Sequence, residues 1–301
     1  MKPIFYLCAF ALSFTFFSCS TENDTIPENE IPEETLPEEN VVLVIKQVQR
    51  QIIGIDCPPR IIDFNTDGQI MEINSCGETY RTYIRNSESN LIGYTSTVGS
   101  VGFGYENDLW ISFGTANDTG GSFTTINYND NIMTFQSLQN DGEPFSTRGE
   151  FVFEDESFKK PLLSRGVSND TGEIIAVNAI FGYNNDDMTT ISNFGYDPNL
   201  DETYPTFDWT FAYDDKTNPF QAGLPSNPIF SLYAPFIDFN GYDSFFYHSK
   251  HNITQQIFTS YINDFTTIHD YEYEYNEEGY PVLMNESING ELRYIYNFEY
   301  Y

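Results

Sequence analysis

Basic residues are scarce in this chain: 13 Lys and Arg stand against 45 Asp and Glu, a formal net charge of −32. Nucleic-acid recognition needs a basic footprint, so that class of partner is excluded, and anionic membrane surfaces are repelled for the same reason. Histidine is scarcer still, with His248, His251 and His269. His248 and His251 stand three apart, which places them on opposite faces of a strand and on one face only of a helix, and no third metal ligand accompanies them. There is no C-x-x-C pair, G-x-S-x-G, H-E-x-x-H, phosphate-binding glycine loop or dinucleotide fingerprint. No cofactor is expected, and a non-catalytic role is preferred over an enzymatic one. Long runs of Ala, Leu, Glu and Lys are missing too, which argues against a helical bundle.

What is plentiful is aromatic: 22 Tyr and 27 Phe, which suit pleated, half-buried surfaces. In Asp270-Tyr271-Glu272-Tyr273-Glu274-Tyr275 tyrosines and acids alternate, a period of two that sorts them onto opposite faces of a sheet. A turn at Asn276-Glu277-Glu278-Gly279 follows, and Asn289-Gly290 is suited to a two-residue hairpin. The chain is expected to be all-β, a large twisted antiparallel meander, open or partly rolled.

The apolar run from Ile4 to Phe17, preceded by Lys2, reads as an export signal too short to span a bilayer comfortably. It closes on Ser18-Cys19, which resembles the lipobox of bacterial lipoproteins with Phe16 where Leu is usual. That resemblance implies cleavage before Cys19 and lipidation of its thiol and new amine, and the signal is similar to the Bacteroidetes type. Residues 20–40 carry Glu22, Asp24, Glu28, Glu30, Glu33, Glu34, Glu38 and Glu39 with Pro27, Pro32 and Pro37 and no basic residue, so they read as an extended tether. Acids soon after the lipidated cysteine resemble the surface-export signal of that phylum, and Asp24-Thr25-Ile26 matches its O-glycosylation pattern at Thr25. The expected organisation is a signal peptide over 1–18, anchor and tether over 19–40, and one β domain over 41–301.

Within that domain a template recurs: an aromatic ending a strand, several Asn, Asp or Glu, then a new strand. It occurs at Phe64, Tyr105, Tyr128, Phe153, Tyr183, Tyr213 and Tyr275. Asn and Asp suit it because their side chains bond back to the turn backbone and tolerate positive φ. Phe64-Asn65-Thr66-Asp67-Gly68-Gln69-Ile70 and Tyr273 to Pro281 resemble YD (RHS-like) repeats in the divergent form of flavobacterial lipoproteins of unknown function. Tyr213-Asp214-Asp215-Lys216-Thr217-Asn218-Pro219-Phe220, followed by Ser249-Lys250-His251-Asn252-Ile253-Thr254, is similar to a second marker of that group. The resemblance implies a fold and an outer-membrane, cell-surface address, and brings no catalytic residues.

Several residues are candidates for chemistry. Cys57 and Cys76 flank the first turn of an exported protein, so either a disulfide or two buried thiols is expected, the disulfide preferred. Asp63, Asn65 and Asp67 with Gly68 match the start of a calcium loop, but Asn74 stands where a bidentate carboxylate is needed, so a β-turn is the preferred reading. Asp197 to Glu202 is a similar acidic loop. Trp209 belongs to an alternating strand and is assigned to the core. Trp110 alternates out of step with Leu109, Ile111 and Phe113, which marks it either as an outward sugar-stacking platform or as part of a second buried layer. Pro219, Pro225, Pro228 and Pro235 make 218–251 a loop-rich excursion of the kind that often carries recognition. The expected role is a monomeric, membrane-anchored binding or scaffold module for a glycan or an envelope protein; the alternatives are an envelope hydrolase with paired carboxylates and a purely structural surface protein.

Overall fold

The computed structural model describes residues 42–220 and 249–301, apart from 108, 118–119, 140–141, 198–199 and 201. Cys19, Thr25, the tether and His248 lie outside the described residues. Eighteen strands follow one another: β1 Ile45–Ile52, β2 Arg60–Phe64, β3 Ile70–Ser75, β4 Glu78–Arg85, β5 Leu91–Ser96, β6 Gly99–Glu106, β7 Leu109–Asn117, β8 Gly120–Asn129 and β9 Ile132–Leu138. The second half continues with β10 Thr147–Phe153, β11 Pro161–Ser168, β12 Ile174–Asn184, β13 Asp187–Asp197, β14 Glu202–Thr217, β15 His251–Ser260, β16 Phe265–Tyr275, β17 Pro281–Ile288 and β18 Glu291–Tyr300. Each strand pairs antiparallel with the next, and β18 pairs with β1, setting Phe298 opposite Val48 and Tyr296 opposite Arg50.

The sheet is therefore a closed up-and-down barrel, which corrects the expected open or partly rolled meander. Closure has a physical cause. No helix among the described residues covers the aromatic face, so the sheet covers it by curling onto itself, and the same act removes both edges. Inward-facing Phe, Tyr, Met and Ile from all round the barrel form one core, including Phe64, Phe103, Trp110, Met133, Phe153, Phe181, Ile191, Tyr271 and Phe298. The outer face is mostly polar: Asp208, Thr210, Gln255, Thr259, Glu272, Asn297 and Glu299 among others, interrupted by apolar residues such as the cross-strand partners Ile257 and Ile268 and the exposed Ile84 and Ile180. A membrane-spanning barrel needs the reverse, an apolar outer band with a polar lumen.

Because every neighbour is antiparallel, alternate connections emerge at alternate ends. All the template turns join an even strand to the following odd one, so they gather at a single end, the aromatic rim. Their chemistry is as expected: the Asn65 side-chain oxygen accepts from the Asp67 and Gln69 amides (3.0 and 2.9 Å), and Asn86 does the same for Glu88 and Asn90 (3.0 and 2.9 Å). The terminal tyrosines of these even strands reach back to the start of the preceding odd strand. Tyr128 donates to the Trp110 carbonyl (2.7 Å), Tyr273 to Ile253 (2.8 Å), Tyr300 to Pro281 (2.7 Å) and Tyr213 to Met188. At Tyr128 and Tyr213 the recurring aromatic is thus a strut within its hairpin, satisfying a carbonyl near the rim, and Tyr273 and Tyr300 do the same in the β15–β16 and β17–β18 hairpins.

Asp214 helps hold the chain on either side of residues 221–248 at the same rim. Its carboxylate accepts from the Tyr275 hydroxyl, the Lys216 amide (2.9 Å) and the Asn252 amide (3.2 Å), while the Asn218 carboxamide donates to the Ser249 carbonyl (2.9 Å). Phe220 then packs on Phe64 of β2 and Phe298 of β18, strands remote from its own in the barrel order. At the opposite end a Cys57–Cys76 disulfide, with Cα atoms 5.3 Å apart, staples the β1–β2 connection to the β3–β4 connection. In the chain-entropy model a loop of this size contributes about 3 kcal/mol. The double variant Cys57→Ser/Cys76→Ser is expected to lose that amount in equilibrium urea unfolding, with the slope of the transition rising as the unfolded chain expands; an unchanged midpoint would refute it.

Candidate functional site

A round barrel of this strand number is too wide for its side chains to fill it. The described residues leave a cavity of about 600 Å³ against the wall formed by β9 to β13, in the half nearer the disulfide rim. Phe135, Phe151 and Phe181 line it, their rings linked in sequence at 5.6 and 6.2 Å between centroids. Between them the wall is bare backbone. Gly149 of β10 and Gly166 of β11 are direct cross-strand partners and both line the cavity. Asn193, only 8% exposed, and Ser164 supply polar groups there.

Charge beside the cavity is matched on the other face of its wall. Glu150 lies between Gly149 and Phe151 in sequence and receives Arg165 through Nε and Nη2 (2.9 and 2.8 Å) and Arg148 through Nε (3.0 Å). Arg148 also donates to the Asn169 side chain and the Ser168 carbonyl, fixing the β11–β12 connection at the mouth. Phe145, exposed and on the β9–β10 connection, is part of the lining. Among the described residues the strongly exposed aromatics are Phe123, Phe145, Tyr204, Tyr261, Phe265 and Tyr301, and all but Tyr301 lie toward the disulfide rim. Next to the cavity, Asn193 pairs across to Phe207, which packs on Phe258 (5.6 Å between centroids), and Phe258 in turn stacks with Trp209 (4.4 Å) and Phe265 (5.6 Å). Half-buried aromatics thus run from the interior to the open end.

The candidates from the sequence fall elsewhere. Trp110 is not an outward platform: it is 1% exposed, packed among Phe103, Phe113 and Phe135, and its indole donates to the Ser112 carbonyl (2.7 Å). The β6–β7 pairing slips at Gly104/Tyr105, which sets Trp110 opposite inward-facing Tyr105. An alternation counted straight through such a bulge assigns the wrong face. Trp209 is half-buried on the aromatic run. Asp63 accepts from the Gln47 carboxamide (2.7 Å) and Asn65 serves its own turn, so their oxygens are already engaged. Of the acidic loop Asp197 to Glu202, Pro198, Asn199 and Asp201 lie outside the described residues. His251 holds Asp187 at 2.7 Å.

Periodicity did not single out the buried polar cluster on β15 to β18. His269 is bonded to Glu286 (2.7 Å), Tyr296 donates to the other oxygen of Glu286 (2.6 Å), and the Tyr271 hydroxyl donates to fully buried Gln256 (3.3 Å). His269, Glu286 and Tyr296 hold one another, so that part of the cluster reads as an interior lock that fixes strand register, while the Gln256 Nε2 is buried with no partner among the described residues. A hydrolase would need paired acids facing a cleft. The large cavity offers only Glu150 among the described residues, already held by two arginines. A second, more open depression at the aromatic rim gathers Asp130, Glu154, Asp155 and Glu156, and Asp155 is held below the usual carboxylate range by hydrogen bonds from Ser157, the wrong direction for a general acid.

No protein-family model matches the chain, and no curated protein matches its sequence. Among solved structures it resembles a porin-like protein from Bacteroides uniformis, at 14% identity and a TM-score of 0.43 over 87% of this chain and 98% of that one. A porin-like protein from Bacteroides vulgatus matches at 12% identity and a TM-score of 0.40, over 86% and 99%. The Tc holotoxin pore of Photorhabdus luminescens matches at 8% identity and a TM-score of 0.26, over 84% of this chain and 19% of that one. All three TM-scores lie below 0.5, so none of these proteins lends its properties to this chain.

Proposed function

We propose that this protein is a surface lipoprotein, anchored through Cys19, whose barrel is a non-catalytic binding module for a glycan. The observation that carries the binding role is the aromatic-lined cavity of about 600 Å³, within the size range of small-ligand sites, behind a rim that exposes further aromatics. The polar outer face suits a body standing in water, and the YD-like turns with the lipobox and acidic tether support an outer-membrane address. β1 enters the barrel at the aromatic rim, which leaves the cavity's rim clear of the chain's point of entry.

The test is native affinity electrophoresis of the whole body, residues 41–301, through gels containing dextran, mannan, xylan, laminarin or alginate. Retardation in one of the neutral polysaccharides is the expected result. Equal mobility in every gel would remove the glycan role, and a polysaccharide recovered shortened from the gel would restore the hydrolase.

A further inference from the structure

The strand glycines of this barrel fall into two kinds. A Cβ at Gly93 would meet the Val101 carbonyl at 2.6 Å and one at Gly121 the Thr115 carbonyl at 2.5 Å; packing demands glycine there. Gly102, Gly149 and Gly166 are different, and of these Gly149 and Gly166 line the cavity. A Cβ at Gly166 meets nothing within 4 Å, one at Gly149 touches only the Phe135 Cβ at 4.0 Å, and neither residue is among those with positive φ. Glycine is disfavoured in strand interiors, yet two face each other across a ladder where neither sterics nor backbone geometry asks for them. What they do is clear the cavity floor between Phe135, Phe151 and Phe181.

We propose that the Gly149–Gly166 floor is the saccharide subsite, holding the flat face of a neutral sugar ring against bare backbone between the phenylalanine rings. This assignment rests on the binding role proposed above and names its place and chemistry. Neutrality follows from the lining: Gly149, Phe151, Ser164 and Gly166 share the cavity face while the matched Glu150–Arg165 pair alternates to the other face, and a chain of net charge −32 repels anionic chains. Asn193 supplies a second, independent pointer. The residue is 8% exposed, lines the cavity and makes no side-chain hydrogen bond to another described residue, so its carboxamide is left for what the cavity holds. A sugar hydroxyl is a fitting partner for an amide that both donates and accepts.

The experiment compares wild type, Gly166→Leu and Asn193→Ala in the neutral polysaccharide that retards wild type most. Gly166→Leu projects into the floor, where a Cβ meets nothing within 4 Å, so the variant should fold while its apparent affinity drops at least tenfold; Asn193→Ala should lose a smaller factor. Wild-type retardation with Gly166→Leu equally retarded would overturn the floor as the site while leaving the binding role standing. Absence of wild-type retardation in every gel would overturn both, and retardation confined to alginate would overturn the neutral-sugar assignment. Should Gly166→Leu fail to fold, Asn193→Ala decides alone: unchanged affinity overturns the proposal.

Discussion

Trp110→Ala is expected to destabilise the barrel by about 4 kcal/mol, the range for deleting a large buried aromatic. The indole is 1% exposed and touches three other rings, so its removal leaves a void that neighbouring strands cannot close without breaking their ladders. For a domain of this size the loss corresponds to a melting temperature lower by roughly 10 °C. Trp209→Ala, at a half-buried position on the aromatic run, should cost markedly less. Equilibrium unfolding in urea separates the two, and a Trp110→Ala variant within about 1 kcal/mol of wild type would mean that the indole is not a core residue. The same pair sharpens the functional reading: Trp110→Ala should lower stability and leave sugar retardation of the folded fraction unchanged.

Alkaline unfolding should be abrupt. Burial pushes the Tyr105 hydroxyl up to about 12, and burial likewise raises Tyr183, Tyr213, Tyr273, Tyr275 and Tyr300 in the folded barrel. In the unfolded chain these phenols ionise near pH 10. A folded-state value raised above the unfolded one gives stability that is complete below pH 10 and is lost as pH climbs toward the folded value. Above pH 10 the native state binds more protons than the unfolded state, so stability falls with each further step in pH. Six phenols acting together make this a large effect, centred between about pH 10 and 12. Absorbance of tyrosinate and far-ultraviolet circular dichroism should change in one coincident transition. Gradual ionisation with the sheet signal intact would show that these hydroxyls reach water in the native barrel.

Strand content and turn chemistry were legible because both are local. Alternation in Asp270 to Tyr275 placed the tyrosines inward and the acids outward, and Asn289 with Gly290 forms the expected positive-φ hairpin turn. The recurring aromatic before each Asn-rich turn was also visible, but not the strut that Tyr128 and Tyr213 make to the preceding strand, since the carbonyl met lies as far as 25 residues back, at Met188 for Tyr213. Trp110 shows the limit from another side: one bulge between Gly104 and Tyr105 shifts the pairing, and the count of alternate residues no longer reports the face.

The cavity was not legible at all. Gly149 and Gly166 become partners only when β10 pairs with β11, and they read in sequence as two ordinary glycines among twenty. Sequence by itself determined that this chain makes antiparallel strands with one aromatic face, an acidic exterior and asparagine-built turns, because dihedral preference and side-chain periodicity act over a few residues. Closure of β18 onto β1, the gathering of all template turns at one rim and the empty floor behind the other were decided by tertiary structure. An aromatic sheet face with no covering layer must bury itself against itself, and that requirement involves every strand at once.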